Sequence, residues 1–150
     1  PATAKSDLPI GFRIIQTPGI NQLAAKLTPR FLIKRSLEQS ISVSEMITEQ
    51  MIDRYWELLR YPGNRAATLR RFQTDRENHM AENLGKITAP TLILWGSEDK
   101  LIPVDAAHAF HRVMPNSELI IYEGIGHIPM EEVAAQSASD VLHFLERVSQ

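Results

Sequence analysis

The sequence predicts an α/β chain, with a helical layer over residues 1–85 and a β-α-β-α run over residues 86–150 whose two strands are parallel neighbours. Three observations predict it. Up to about Gly85 the apolar residues recur at helical spacing and little reads as a strand. From Ile87 continuous apolar runs appear, Thr91-Leu92-Ile93-Leu94-Trp95 foremost, of the kind carried by a parallel strand covered on both faces. The order strand, helix, strand, helix then makes the pair parallel through a right-handed crossover.

In the first part, PGINQLAAKLTPR places Ile20, Leu23, Ala24 and Leu27 on one helical face, and Pro29 closes the segment. Ser42-Val43-Ser44-Glu45 has the layout of a capping box, in which the Ser42 hydroxyl accepts from the third amide and Glu45 reaches back. Behind it Ile47, Met51, Tyr55, Leu58 and Leu59 form an apolar stripe that ends at Pro62-Gly63. A further helix is predicted from Asn64, with Leu69, Phe72 and Met80 inside. In the second part the strand at Thr91–Trp95 runs into a loop, GSEDKLIP, and then a helix, VDAAHAFHRVM. Pro115-Asn116 turns the chain into a second strand at Glu118–Tyr122. A last helix is predicted from Ala134 to Val148 with Ala138, Val141, Leu142, Leu145 and Val148 on its inner side.

Two strands do not make a stable buried sheet, because a buried strand with an unpaired edge leaves a row of amides and carbonyls without partners. FRII near Phe12 is the one further strand candidate. The rest of the sheet is therefore expected from an upstream segment or from a second copy, so that the chain is a fragment or one half of an intertwined homodimer.

Composition narrows the function classes. The 150 residues are 43% hydrophobic and 23% charged, with seven Gly and nine Pro, which argues against disorder or a fibrous repeat. A net charge of -2 with scattered basic residues gives no electrostatic footprint for nucleic acid or an anionic membrane. No apolar run reaches membrane-spanning length. The absence of cysteine excludes disulfides and thiolate chemistry, and leaves the compartment open with the cytoplasm as the default.

The chemistry lies at the strand ends. Ligands of open α/β sheets bind outside the carboxyl ends of the strands. Asp99 lies four residues beyond Trp95 and His127 five beyond Tyr122, so both project from that edge. A carboxylate that accepts from an imidazole Nδ1–H sets the tautomer, and the ring can then act as general base toward a nucleophile. Gly96 permits a tight turn off the first strand, and Gly124 and Gly126 let the backbone bring His127 in.

At PTLILWGSEDKLIPV and PNSELIIYEGIGHIPMEE the chain resembles the α/β-hydrolase superfamily in its capped, lipase/esterase-like branch. The resemblance covers roughly the last sixty residues, through a strand, a G-x-x-D and a later G-x-G-H-x-P in order. It implies that Asp99 is the triad acid and His127 the triad histidine, and that residues 1–85 are the helical cap. It also implies hydrolysis of a small carboxylic ester without a cofactor. The family's G-x-S-x-G elbow and the oxyanion-hole loop before it are not in these residues, so the chain alone is expected to be inactive. The family often carries Glu-Pro after the histidine, whereas here Glu132 is followed by Val133. An Asp-His pair also serves epoxide hydrolases and haloalkane dehalogenases, whose nucleophile is an aspartate. A non-catalytic self-associating or partner-binding module is the alternative from another class.

Plainer readings stand beside these. Asp99 alone is a turn or N-cap carboxylate, His127 alone a loop histidine, and Glu98 the alternative acid. His108 and His111 share a helix at a spacing seen in metal sites, but no further ligand accompanies them, so they read as an exposed face and no metal is expected. His79 and His143 are ordinary helix positions. Met51, Tyr55 and Trp56 fit a helix core as well as a pocket, Trp95 fits the core, and RRFQTDRE is a solvated helix face.

Overall fold

The structure, a computed structural model, describes residues 28–73 and 83–149. The helical segment at Ile20–Leu27, the strand candidate at Phe12, Met80 and His79 lie outside these residues, as do the side chains of Leu69 and Phe72. The described residues form two compact units, one from residues 28–40 and 44–73, the other from residues 41–43 and 83–149.

The first unit is helical: α1 (Arg30–Ser40), a 3-10 turn (Ser44–Met46), α2 (Glu49–Arg60) and α3 (Asn64–Gln73). The sequence pattern does not single out helix α1. Its apolar positions Ile33 and Leu37 are separated by Lys34 and Arg35, which hides the stripe. Pro29 precedes this helix, its carbonyl accepting from Leu32 N at 3.1 Å. Arg30 donates to Asp53 at 2.5 Å and to Glu49 at 2.6 Å, and thereby ties α1 to α2. Both acidic partners are more than half exposed, so solvent screens these ion pairs and they add little to stability. Trp56 adds a hydrogen bond from Nε1 to the Thr28 carbonyl at 2.7 Å, and the Arg60 guanidinium stacks over its ring at 4.1 Å.

The predicted capping box does not form. Helix α2 starts at Glu49 with Thr48 as its N-cap, extended at φ -82° and ψ 160°, and Thr48 Oγ1 accepts from Met51 N at 3.1 Å. Ser44–Met46 is instead a separate 3-10 turn, and the Ser42 amide donates to Glu132 in the second unit. The apolar stripe of α2 is also rotated from its expected position. Ile52, absent from the predicted stripe, is fully buried, whereas Leu58 is 57% exposed. At 100° per residue the buried arc centres on Ile52, Tyr55 and Leu59, with Met51 inside one margin and Leu58 just beyond it. Pro62-Gly63 ends the helix as predicted, with Gly63 in the left-handed region at φ 90°.

The second unit carries the sheet. Strands β1 (Thr91–Gly96) and β2 (Ser117–Tyr122) pair in parallel, in register from Thr91 opposite Ser117 to Gly96 opposite Tyr122. Helix α4 (Asp105–Val113) makes the crossover between them. Ile93, Ala107 and Met114 form a buried cluster with Leu84, Trp95, Phe110, Leu119 and Ile121 against it, which fills one face of the pair. The other face carries the alternate residues Leu92, Leu94, Ile120 and Tyr122. The Tyr122 hydroxyl there donates to Asp140 at 2.8 Å. Burial foremost, and then that carboxylate, push the Tyr122 phenol well above its ordinary range. Asp140 belongs to α6 (Ala134–Val148), which follows the short α5 (Pro129–Glu132). The result is a parallel pair with helices on both faces, in which β1 and β2 have no other strand neighbour among the described residues.

Helix α6 has the predicted limits but not the predicted face. Leu142, Leu145 and Val148 are 41–60% exposed and Ala138 is exposed too, while Ser137 and Phe144 are buried. Polar residues can turn inward here because they are satisfied: Ser137 Oγ donates to the Ala134 carbonyl, and Asp140 accepts from Tyr122. Among the described residues no helix is long and apolar enough to cross a membrane.

Candidate active site

The two loops that leave β1 and β2 are laced together by their backbones. Ser97 N donates to Tyr122 O at 3.0 Å and Glu98 N to Ile125 O at 2.9 Å. In return Gly124 N donates to Ser97 Oγ at 2.9 Å. Gly124 makes the turn at φ 73°, a conformation that suits glycine. The role of Gly96 differs from the turn predicted for it. A Cβ at this position would lie 2.1 Å from Gly126 O and 2.2 Å from Ile125 O, so the residue is needed for close approach of the two loops.

This lacing brings Asp99 and His127 together. His127 Nδ1 is 2.9 Å from Asp99 Oδ2. The Asp99 side chain is 3% exposed and that of His127 34%. The other carboxylate oxygen, Oδ1, accepts from Leu101 N at 2.8 Å and Ile102 N at 2.9 Å. Asp99 thus meets both readings of its sequence: one oxygen closes a turn and the other faces the imidazole. The far end of the acid loop is held by Trp95, whose Nε1 donates to Ile102 O at 3.0 Å. The Trp95 ring packs edge-on against Phe110, so it is half in the core and half a brace for the loop.

Burial, the largest single influence on Asp99, opposes its ionisation. The hydrogen bond from His127, the Ile102 amide, the imidazole's charge and the Leu101 amide together outweigh it, and the carboxyl lies below its ordinary value of 3.8. An ionised carboxylate only accepts, so His127 Nδ1 is the donor whether or not the ring is charged, and when the ring is neutral Nε2 is the acceptor. Because the folded value is lowered, the unfolded chain takes up the proton first as pH falls. The stability contributed by Asp99 is therefore complete above the ordinary value of 3.8 and is lost as pH falls through the lower folded value. In urea titrations the stability gap between the wild type and Asp99→Asn is expected to be constant near neutrality and to shrink below 3.8. A gap that stays constant into strong acid would show that Asp99 gains nothing from its partners.

The remaining titratable candidates stay apart from this pair. Glu98, the alternative acid, is exposed. His108, His111 and His143 are exposed, and His111 Nδ1 lies 2.9 Å from Ser117 Oγ. Met51 is buried in the first unit's core. Arg70 and Arg71 of the charge run are exposed, and residues 74–77 lie outside the described part.

Glu132 is the residue whose part the sequence did not disclose. It is 7% exposed, and its two oxygens collect backbone amides. Oε2 accepts from Ser42 N at 2.8 Å, Val43 N at 3.1 Å and Gly126 N at 3.2 Å. Oε1 accepts from Gly126 N at 3.1 Å and Ile128 N at 3.4 Å. The signals for it in the sequence are its place five residues after His127 and the resemblance to a family that often carries a Glu there.

The family described as "Serine aminopeptidase, S33" matches residues 7–134. A 2-hydroxy-6-oxononadienedioate/2-hydroxy-6-oxononatrienedioate hydrolase of Klebsiella pneumoniae is 44% identical over 64 residues, which is 43% of this chain and 22% of that protein. Lipase 3 of a Moraxella species is 29% identical over 76 residues, 51% of this chain and 24% of the lipase. Among solved structures, a serine hydrolase involved in carbazole degradation superposes with a TM-score of 0.72 at 25% identity, over 79% of this chain and 47% of that one. The matches thus span between 22% and 47% of each relative's length.

Proposed function

Since the chain belongs to the serine aminopeptidase S33 family of α/β-hydrolases, we propose that it carries the acid and the histidine of a Ser-His-Asp triad for carboxylic-ester hydrolysis. The 2.9 Å contact between Asp99 and His127 at adjacent parallel strand ends carries this reading. His127 Nε2 takes the proton of a serine hydroxyl as its oxygen attacks the ester carbonyl, and then delivers that proton to the departing alkoxide. Asp99 holds the ring in the tautomer this requires and stabilises the imidazolium. The nucleophile and the oxyanion-hole amides come from residues outside these 150, in keeping with the absence of a G-x-S-x-G sequence. Residues 1–85 serve as the helical cap over the substrate, a role supported by α1, α2 and α3.

The likeness to hydrolases of 2-hydroxy-6-oxo acids favours a second reading, in which the same pair assists hydrolysis of a carbon–carbon bond beside a ketone. A protein that contains this chain together with a nucleophile-bearing part, assayed on p-nitrophenyl butyrate and on a 2-hydroxy-6-oxodienoate, separates the two. Ester turnover that disappears in His127→Ala is the expected result. Turnover of the dienoate alone would replace esterase with carbon–carbon hydrolase, and ester turnover indifferent to His127 would remove the triad assignment.

A further inference from the structure

We propose that Glu132 is a positioning residue for the Asp99–His127 pair. The inference rests on the triad reading for its catalytic meaning, but not for its geometry. The two residues flanking His127, Gly126 and Ile128, both direct their amides at the Glu132 carboxylate. The backbone on either side of His127 is thus pinned to one buried side chain, and the imidazole is the group projected between the two pins. The same carboxylate takes the amides of Ser42 and Val43, so it is also anchored by a segment distant in sequence and does not simply follow the loop. Before Gly126 the loop is also held by Gly124, bonded to Ser97, and by the Ile125 carbonyl, bonded to Glu98; after it the Ile128 carbonyl accepts from the Glu131 and Glu132 amides. Glu132 supplies the side-chain contacts to the amides on either side of His127.

A carboxylate is the suitable group for this place. It presents two acceptor oxygens and no donor, and every neighbour described around it is an N–H. In Glu132→Gln one oxygen becomes an NH₂ group, which sets donor against donor either at Ser42 and Val43 or at Ile128. The cost falls on the loop rather than on the sheet, because neither strand bonds to Glu132. His127 then loses its fixed distance to Asp99 while the fold persists.

The test uses the nucleophile-bearing protein with ¹⁵N-labelled histidine. With the ring in its neutral form, His127 of the wild type is expected to show a single tautomer protonated at Nδ1. In Glu132→Gln that signature is expected to give way to a mixture of tautomers, and the Gly126 and Ile128 amides to lose protection from hydrogen exchange. Glu132→Asp, which keeps both oxygens on a shorter arm, should restore the signature in part. Tyr122→Phe, which breaks a part-buried hydrogen bond elsewhere in the same unit, should lower stability and leave the His127 signature intact. If Glu132→Gln folds and retains the wild-type signature, or if Tyr122→Phe disturbs it equally, Glu132 does not position His127. Should Glu132→Gln not fold, Glu132→Asp decides: an unchanged signature and unchanged exchange at Gly126 and Ile128 overturn the proposal. None of these readouts needs turnover, so they stand whether or not the nucleophile-bearing protein proves to be an esterase. In that protein Glu132→Gln is expected to lower kcat by about 10²-fold with KM little changed, the scale of a small misplacement of a reacting group. A kcat that stays at the wild-type level would also overturn the positioning role.

Discussion

Asp99→Asn is expected to reduce ester hydrolysis by the nucleophile-bearing protein about 10³- to 10⁴-fold in kcat, with KM little changed. The size follows from which way the new amide must point. Asp99 Oδ1 already accepts the Leu101 and Ile102 amides at 2.8 and 2.9 Å, so the carbonyl oxygen of an asparagine is held on that side. Its NH₂ group then occupies the place of Oδ2, opposite His127 Nδ1. An NH₂ donates, so Nδ1 must accept and the ring proton moves to Nε2, the atom that should receive the proton of the nucleophile. The variant is therefore well folded near neutral pH with its base in the wrong tautomer. His127→Ala should cost a similar factor, and the double variant little more than either alone, because the two residues act as one unit. Activity of Asp99→Asn within tenfold of wild type would show that another acid, with Glu98 the nearest in sequence, serves the histidine.

The two members of this pair, and the strands that carry them, are legible in the amino acids. The strand limits show because Pro90 and Gly96 bracket an unbroken apolar run, and Pro115-Asn116 does the same before Ser117. Asp99 and His127 show because side-chain chemistry and flanking glycines coincide at both strand ends. The work of Glu132 does not show. Its partners are backbone amides of residues 42, 43, 126 and 128, and an amide is the same group whatever side chain it carries. The inner face of α6 is hidden for a related reason. Periodicity sorts residues by polarity, but Ser137 and Asp140 turn inward once hydrogen bonds satisfy them. Ile52 and Leu58 differ in burial although both are aliphatic, because the boundary of the buried arc depends on the partner helix and not on α2 alone.

Gly96→Ala should be the most damaging small substitution in the second unit, destabilising it by about 3 kcal/mol, the upper end of what overpacking costs. The methyl group has no side chain to push aside. It meets the carbonyl oxygens of Gly126 and Ile125 at 2.1 and 2.2 Å, and the Ile125 carbonyl carbon at 2.7 Å. Space can be made in two ways: Gly96 can leave its pairing opposite Tyr122, which breaks the end of the sheet, or residues 125–126 can retreat. Retreat is the cheaper, since it spares the strand pair, but it moves the residues immediately before His127. The hydrogen bond between His127 and Asp99 is then the first to break. Gly124→Ala is the informative comparison. Gly124 has φ 73° but nothing within 4 Å of its would-be Cβ, so only the left-handed backbone is strained, at about 1–2 kcal/mol. Urea denaturation should therefore rank Gly96→Ala well below Gly124→Ala, and the His127 tautomer signature should vanish in the first and survive in the second. If the two glycines prove equally tolerant of alanine, the loops do not approach as closely as the carbonyls of Ile125 and Gly126 indicate, and the site must be held by side chains alone.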